Sequence, residues 1–175
     1  MNWTELLKNH MEHSYKAAEG LVKMVDEDKL NWKPATGSNW MTTGQLLKHL
    51  SSACGGPTKG FVTGDWGLPA GADPFERKPE QMLPSAESLP TLASVPEALQ
   101  LLQQDRKTAL EILAKVSESD LASRPTPAPW DPTPMNLGAR LLTMASHLDQ
   151  HKAQLFYYLK LQGKPVNTMH YFGMM

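Results

Sequence analysis

Thiols are almost absent from this chain: Cys54 is the single cysteine in 175 residues. That excludes an internal disulfide and any zinc site built mainly on thiolates. No run approaches the roughly 20 consecutive apolar residues that a membrane-spanning helix requires, so no membrane partner is expected. Charge of one sign is lacking too. Seventeen basic and eighteen acidic side chains leave a formal charge of -1, and a surface that tracks phosphates by bulk electrostatics has no support. Nucleic acid is therefore not an expected partner. No segment alternates apolar and polar residues like a strand, and there is no internal repeat. The N-terminal stretch MNWTELLKNHMEHSYK carries charges throughout, unlike a signal peptide, so a cytoplasmic location is the expectation. With 41% hydrophobic against 20% charged residues, the chain has the apolar mass for one packed domain over 1–175.

What the sequence has instead is helical periodicity, in four blocks. Trp3, Leu6, Leu7, Met11, Ala18, Leu21, Val22 and Val25 recur at steps of mostly three or four, which predicts an amphipathic helix over about 2–26. The second block, about 42–63, has Thr42 or Thr43 as its cap and Leu46, Leu47, Leu50 and Ala53 as its core stripe. Gly55-Gly56-Pro57 challenges it, because proline removes a backbone donor and clashes with the preceding turn. Phe61 and Val62 resume the apolar stripe, so a kinked continuation is expected. The third block, about 95–117, opens on Ser94-Val95-Pro96-Glu97. It has a capping hydroxyl, a proline where a missing donor costs nothing, and a glutamate able to complete a capping box. The fourth, about 136–162, stops at Gly163 with Pro165 just beyond.

Four such helices predict an all-α four-helix bundle. The proline-punctuated segment 65–93 forms a long connection between helices 2 and 3 that allows a crossover. Segment 123–134 is also proline-rich, around Trp130. Loops of this length often shape a site; Trp40 and Trp130 are pocket candidates, and Trp32 is expected to seal a bundle end. The tail 164–175 carries Met169, Tyr171, Phe172, Met174 and Met175, too apolar to stand in water, and should pack on the bundle or on a second subunit. The methionines are read as gap-filling core, not a copper box.

Six histidines carry the chemistry. His147 and His151 lie four apart in HLDQHKAQLFYYLKLQG and share one helix face with Met144, Leu148 and Leu155, opposite Lys152 and Lys160. His49, in GQLLKHLSS, lies on the inward face of the second helix. Burying three imidazoles is costly unless each finds a partner. A shared divalent ion satisfies all three and leaves coordination positions open, as catalytic sites do. The alternative is that His49 bonds a backbone carbonyl while the pair lines a solvated crevice. Cys54 is turned about 140° from His49 around the helix axis and reads as small buried filler. Asp149 faces away from both histidines and is expected to be solvated. Gln154 lies near the metal face and either orients a ligand or satisfies a backbone group. His10 and His13 are expected to be exposed or capping, and His170 belongs to the tail.

The histidine in NWKPATGSNWMTTGQLLKHL, followed about a hundred residues later by HLDQHKAQLFYYLKLQG, resembles the DinB-like superfamily of metal-binding four-helix bundles. Helix, tryptophan loop, His helix, helix and His-x-x-x-His helix agree in order over nearly the whole chain. The resemblance implies a metal at His49, His147 and His151, with Gln154 matching a glutamine common in the family's fourth helix. It also implies a homodimer and a small-molecule substrate. Relatives include thiol-dependent transferases and isomerases using low-molecular-weight thiols, and proteins described as metal-dependent hydrolases.

Two readings follow. The first is a metal-dependent enzyme, an S-transferase or hydrolase, whose three-histidine divalent centre activates a low-molecular-weight thiol or water. The second is a non-catalytic metal-binding stress-response or sensor protein. Imidazole donors suit zinc and nickel best here, with cobalt, iron or copper also compatible.

Overall fold

The computed structural model describes residues 2–76 and 84–175. Among these the chain is all-helical. Its helices are α1 (Trp3–Val22), α2 (Thr43–Leu50), α3 (Gly55–Thr63), α4 (Val95–Leu113), α5 (Glu118–Ser123), α6 (Leu137–Leu161) and α7 (Thr168–Tyr171). Helix α6 runs through the middle, packing against α1, α2 and α3, while α4 covers α1 and α3 from the other side. The common core is built from the periodic residues, with Leu7, Met11, Leu46, Leu50, Leu102, Leu141 and Leu148 all at most 2% exposed.

Local chemistry sets the helix starts. Asn2 caps α1, and the Glu118 carboxylate accepts from the Trp3 and Thr4 amides at 2.9 and 2.7 Å, an anion on orphan donors at the positive helix end. Thr42, not Thr43, caps α2 in a reciprocal box with Gln45. Ser94 caps α4 through the Glu97 amide, but the Glu97 carboxylate reaches back to the Ala93 amide, one residue beyond the expected box. Helix α6 is capped by Asn136 and followed by Gly163 in the left-handed region (φ 82°), the stop that glycine tolerates best.

The expected kinked helix over 42–63 is corrected: the block is two helices, broken at Ser51–Cys54, ahead of the Gly-Gly-Pro. The cause is tertiary. The Asp105 carboxylate of α4 accepts from the amides of Cys54, Gly55 and Gly56 at 3.3, 2.9 and 3.0 Å and from the Tyr15 hydroxyl at 2.6 Å. It thereby supplies a new helix with the acceptor its first turn needs. A Cβ on Gly55 would collide with the Asp105 backbone carbonyl, so only glycine permits the approach. Pro57 falls in the first turn of α3, where no amide is missed. Helices α1 and α4 are also shorter than their patterns, since Val22 and Leu113 close them about a turn early, whereas α6 keeps its expected span.

Two connections follow. Residues 64–94 link α3 to α4, and 77–83, including Pro79, lie outside the described residues. Residues 124–136 are stitched to α6 by Arg140, which is buried. Its guanidinium donates to the Thr126 and Thr133 carbonyls and to Asp131 at 2.8–3.2 Å. The bonds from Thr133, together with the Arg140 charge, hold the Asp131 carboxyl down at about 2. The tail folds back on α1 and α6. Gly173 (φ 62°) passes so close to Ala17 that a side chain there would press on its backbone.

Candidate metal centre

The break between α2 and α3 and the straight run of α6 bring three imidazoles to one point. His49 Nε2 lies 3.2 Å from His147 Nε2, and His151 Nε2 lies 2.9 Å from the same atom. One ligand atom from each of the three residues falls within 4.8 Å of the others. Donors about 2.0–2.1 Å from one cation stand about 3.3 Å apart in a tetrahedron and about 2.9 Å apart at right angles. The spacing therefore fits one ion.

Hydrogen bonds decide which face of each ring is bare. His147 Nδ1 lies 3.2 Å from the Ala53 carbonyl. A carbonyl only accepts, so Nδ1 carries the proton and Nε2 the lone pair. That carbonyl is available because Ala53 lies in the break between α2 and α3, outside both helices. For His151 the chain is longer. The Tyr158 hydroxyl donates to the Met41 carbonyl at 2.9 Å, so its oxygen accepts from Gln154 Nε2 at 3.2 Å. Gln154 then turns its Oε1 to His151 Nδ1, at 3.1 Å, and Nδ1 must be the N–H. Two Nε2 lone pairs thus face each other at 2.9 Å, which repels unless a cation lies between them.

A proton is a poor candidate for that cation. Burial, with the neighbouring imidazoles, lowers His49 and His151 to about 4, and burial lowers His147. At neutral pH the three rings are uncharged, the state in which imidazole ligates metals. All three are half-buried, so one side of the cluster reaches solvent.

The other candidates lie elsewhere. Cys54 is buried beside Asp105 and Tyr15, and burial pushes its thiol up to about 12; it is no ready nucleophile. Asp149 lies outside the cluster, as expected, but is only partly solvated. It is half-buried, ion-paired with Lys152 at 2.8 Å and 3.1 Å from His10 Nε2. Lys152, expected on the solvent face, is buried, its ammonium 4.6 Å from the Tyr171 ring centre. The returning tail covers that side of α6 with the Tyr171 ring, so Lys152 exchanges water for that aromatic face and for the Asp149 carboxylate of its own helix. His13 is exposed on α1, as expected, and takes no part in the cluster, and His170 closes a capping box with Asn167 on α7. Trp32 and Trp40 rest edge-on against Tyr158. Trp130 joins Phe61 and Trp66 in an aromatic cluster, and the two tryptophans wall an open groove of about 480 Å³ between α3 and α4. Arg140 and Tyr158 shape the site and its surroundings without standing out in the sequence pattern. For Tyr158 a signal exists: it follows Gln154 by one turn on the same face.

Comparison with known proteins gives a match to a family model described as the DinB superfamily, over residues 10–155. That span includes all three histidines and Gln154. Searches of curated proteins and of solved structures returned no match.

Proposed function

The chain belongs to the DinB superfamily, and from the geometry of its three histidines we propose that it is a metal-dependent enzyme. His49, His147 and His151 would hold one divalent ion, zinc or nickel best suiting three imidazoles. The reaction would be group transfer from a low-molecular-weight thiol, or hydrolysis. On this reading α2 and α3 are the halves of one interrupted helix in a four-helix bundle with α1, α4 and α6. One observation carries the proposal: ring nitrogens of two half-buried imidazoles, each bare because its partner nitrogen faces an acceptor, point at each other across 2.9 Å. A divalent ion bound there would act as a Lewis acid, lowering the pKa of a coordinated thiol or water.

The protein's own residues divide the work. Ala53 and Gln154 hold His147 and His151 in the ligating tautomer, as outer partners of metal-bound histidines do. The half-buried rings leave an approach from solvent for a small molecule. Cys54 cannot supply the nucleophile, so it must arrive from outside, as water or as a thiol cosubstrate. A second reading, metal retained for stability or sensing, draws on the same outer partners: a carbonyl and an amide, neither able to shuttle a proton.

Elemental analysis and zinc titration of untagged protein test the proposal. One ion per chain is expected for the wild type and none for His49→Ala, His147→Ala or His151→Ala. Stoichiometric binding retained in all three variants would overturn the site. At free zinc about 100-fold above Kd, binding adds about 2.7 kcal/mol of stability. Chelation of loaded protein should then lower the melting temperature by about 5–10 °C for a chain of this size. Loaded protein that turns over neither thiol-transfer nor hydrolase substrates, yet shows that shift, favours the second reading.

A further inference from the structure

We propose that Tyr158 is a positioning residue that fixes the tautomer of His151 through the orientation of the Gln154 amide. The inference rests on the reading of His49, His147 and His151 as a metal centre. A glutamine amide is two-faced: turned one way it accepts, turned the other it donates. If it presented its NH2 to His151 Nδ1, that nitrogen would have to hold the lone pair. The proton would then sit on Nε2, where it blocks coordination. Nothing within Gln154 itself prevents this.

Tyr158 does. Its only proton is committed to the Met41 carbonyl at 2.9 Å, so its oxygen faces Gln154 as an acceptor and selects the NH2. A flipped amide would set two oxygens against each other. Packing holds the tyrosine ring in this position, because Trp32 and Trp40 rest edge-on against it with centroids 5.2 and 6.3 Å away. The tryptophan loop before α2 thereby reaches the metal centre without touching it. Its Met41 carbonyl orders a hydroxyl, the hydroxyl orders an amide, and the amide leaves one imidazole nitrogen bare. His147 has no such relay, since a backbone carbonyl cannot flip.

The relay predicts a specific rescue. An ionised glutamate at position 154 has only acceptor oxygens, so it fixes the His151 tautomer with or without Tyr158. Zinc affinity is to be measured for wild type, Tyr158→Phe, Gln154→Glu and the double variant. The His151 tautomer is to be read by nitrogen NMR on the metal-free proteins. Tyr158→Phe should weaken zinc binding by about 10–100-fold, the usual cost of losing an outer partner, and should show His151 in mixed tautomers. In the Gln154→Glu background the same change should cost less than about threefold, well under that usual cost. His147 should keep its Nδ1–H throughout. An equal loss of affinity in both backgrounds, or an unchanged His151 tautomer in Tyr158→Phe, overturns the relay. Should Tyr158→Phe not fold, Gln154→Met removes the acceptor at similar length, and a single unchanged tautomer at His151 in that variant overturns it equally. If the wild type binds no zinc, the metal reading fails, while the NMR arm still decides whether the relay exists.

Discussion

The Asp105 carboxylate and the three-histidine cluster are both polar insertions into an apolar fold, yet they are completed by different things. Asp105 receives four hydrogen bonds, from one hydroxyl and three consecutive amides; the protein meets its needs in full. His147 and His151 are each satisfied on the outer nitrogen and left bare on the inner one. The first is a clamp that builds the chain break. The second is unfinished in protein terms and asks for a cation. Burial alone does not separate structure from function here; the balance of donors and acceptors does.

Breaking the clamp should have the largest effect. Asp105→Ala strands the Tyr15 hydroxyl and the first amides of α3, and should cost at least about 3 kcal/mol, read as a fall in the urea midpoint. The protein that still folds should bind one zinc per chain. Emptying the other cluster should do the reverse. The His49 ring meets His147 across 3.2 Å, and His49→Leu removes that contact without stranding a backbone donor. It should abolish stoichiometric zinc binding while the metal-free midpoint stays within about 1 kcal/mol of wild type or rises. A large loss of metal-free stability in His49→Leu would mean that the histidines are structural.

Acid gives the most discriminating effect. Free imidazole titrates near pH 6.5, whereas folded His49 and His151 do so at about 4. Between these values the unfolded chain binds more protons than the folded one. The histidine contribution to metal-free stability is therefore complete above about pH 6.5 and lost as pH falls toward 4. Burial raises Asp105, so its contribution has the opposite slope and grows as pH falls through the range just above the ordinary carboxylate value. The difference between wild type and His49→Leu across pH 4–7 isolates the histidine part. No such difference would show that the rings are not held neutral by burial.

The histidines were legible because ligation and helical geometry share a period: 147 and 151 stack on one face, and His49 falls on the stripe of Leu46 and Leu50. The caps at Ser94 and at Thr42 or Thr43 were legible for the same reason, since their partners lie within one turn. What escaped was set by residues distant in the chain. The end of α2 is decided by a carboxylate about fifty positions later, and glycine and proline merely permit it. Lys152 reads as a solvent-facing charge until the tail, returning through Gly173, puts Tyr171 over it. Arg140 reads as one more cation on a helix, though three groups in the 124–136 segment converge on it. Tyr158 reads as core because periodicity reports burial and is silent on where a hydroxyl points.

Ala53 lies in the break between α2 and α3, outside both helices, so its carbonyl is not drawn into a helical ladder. A redesign that joined α2 to α3 in one continuous rod would turn that carbonyl toward a helical amide and away from His147, which now uses it. Such a repair would make a better rod and a poorer chelator. In this protein an irregularity of the main chain is the means by which a side chain ninety residues downstream keeps its ligating nitrogen free.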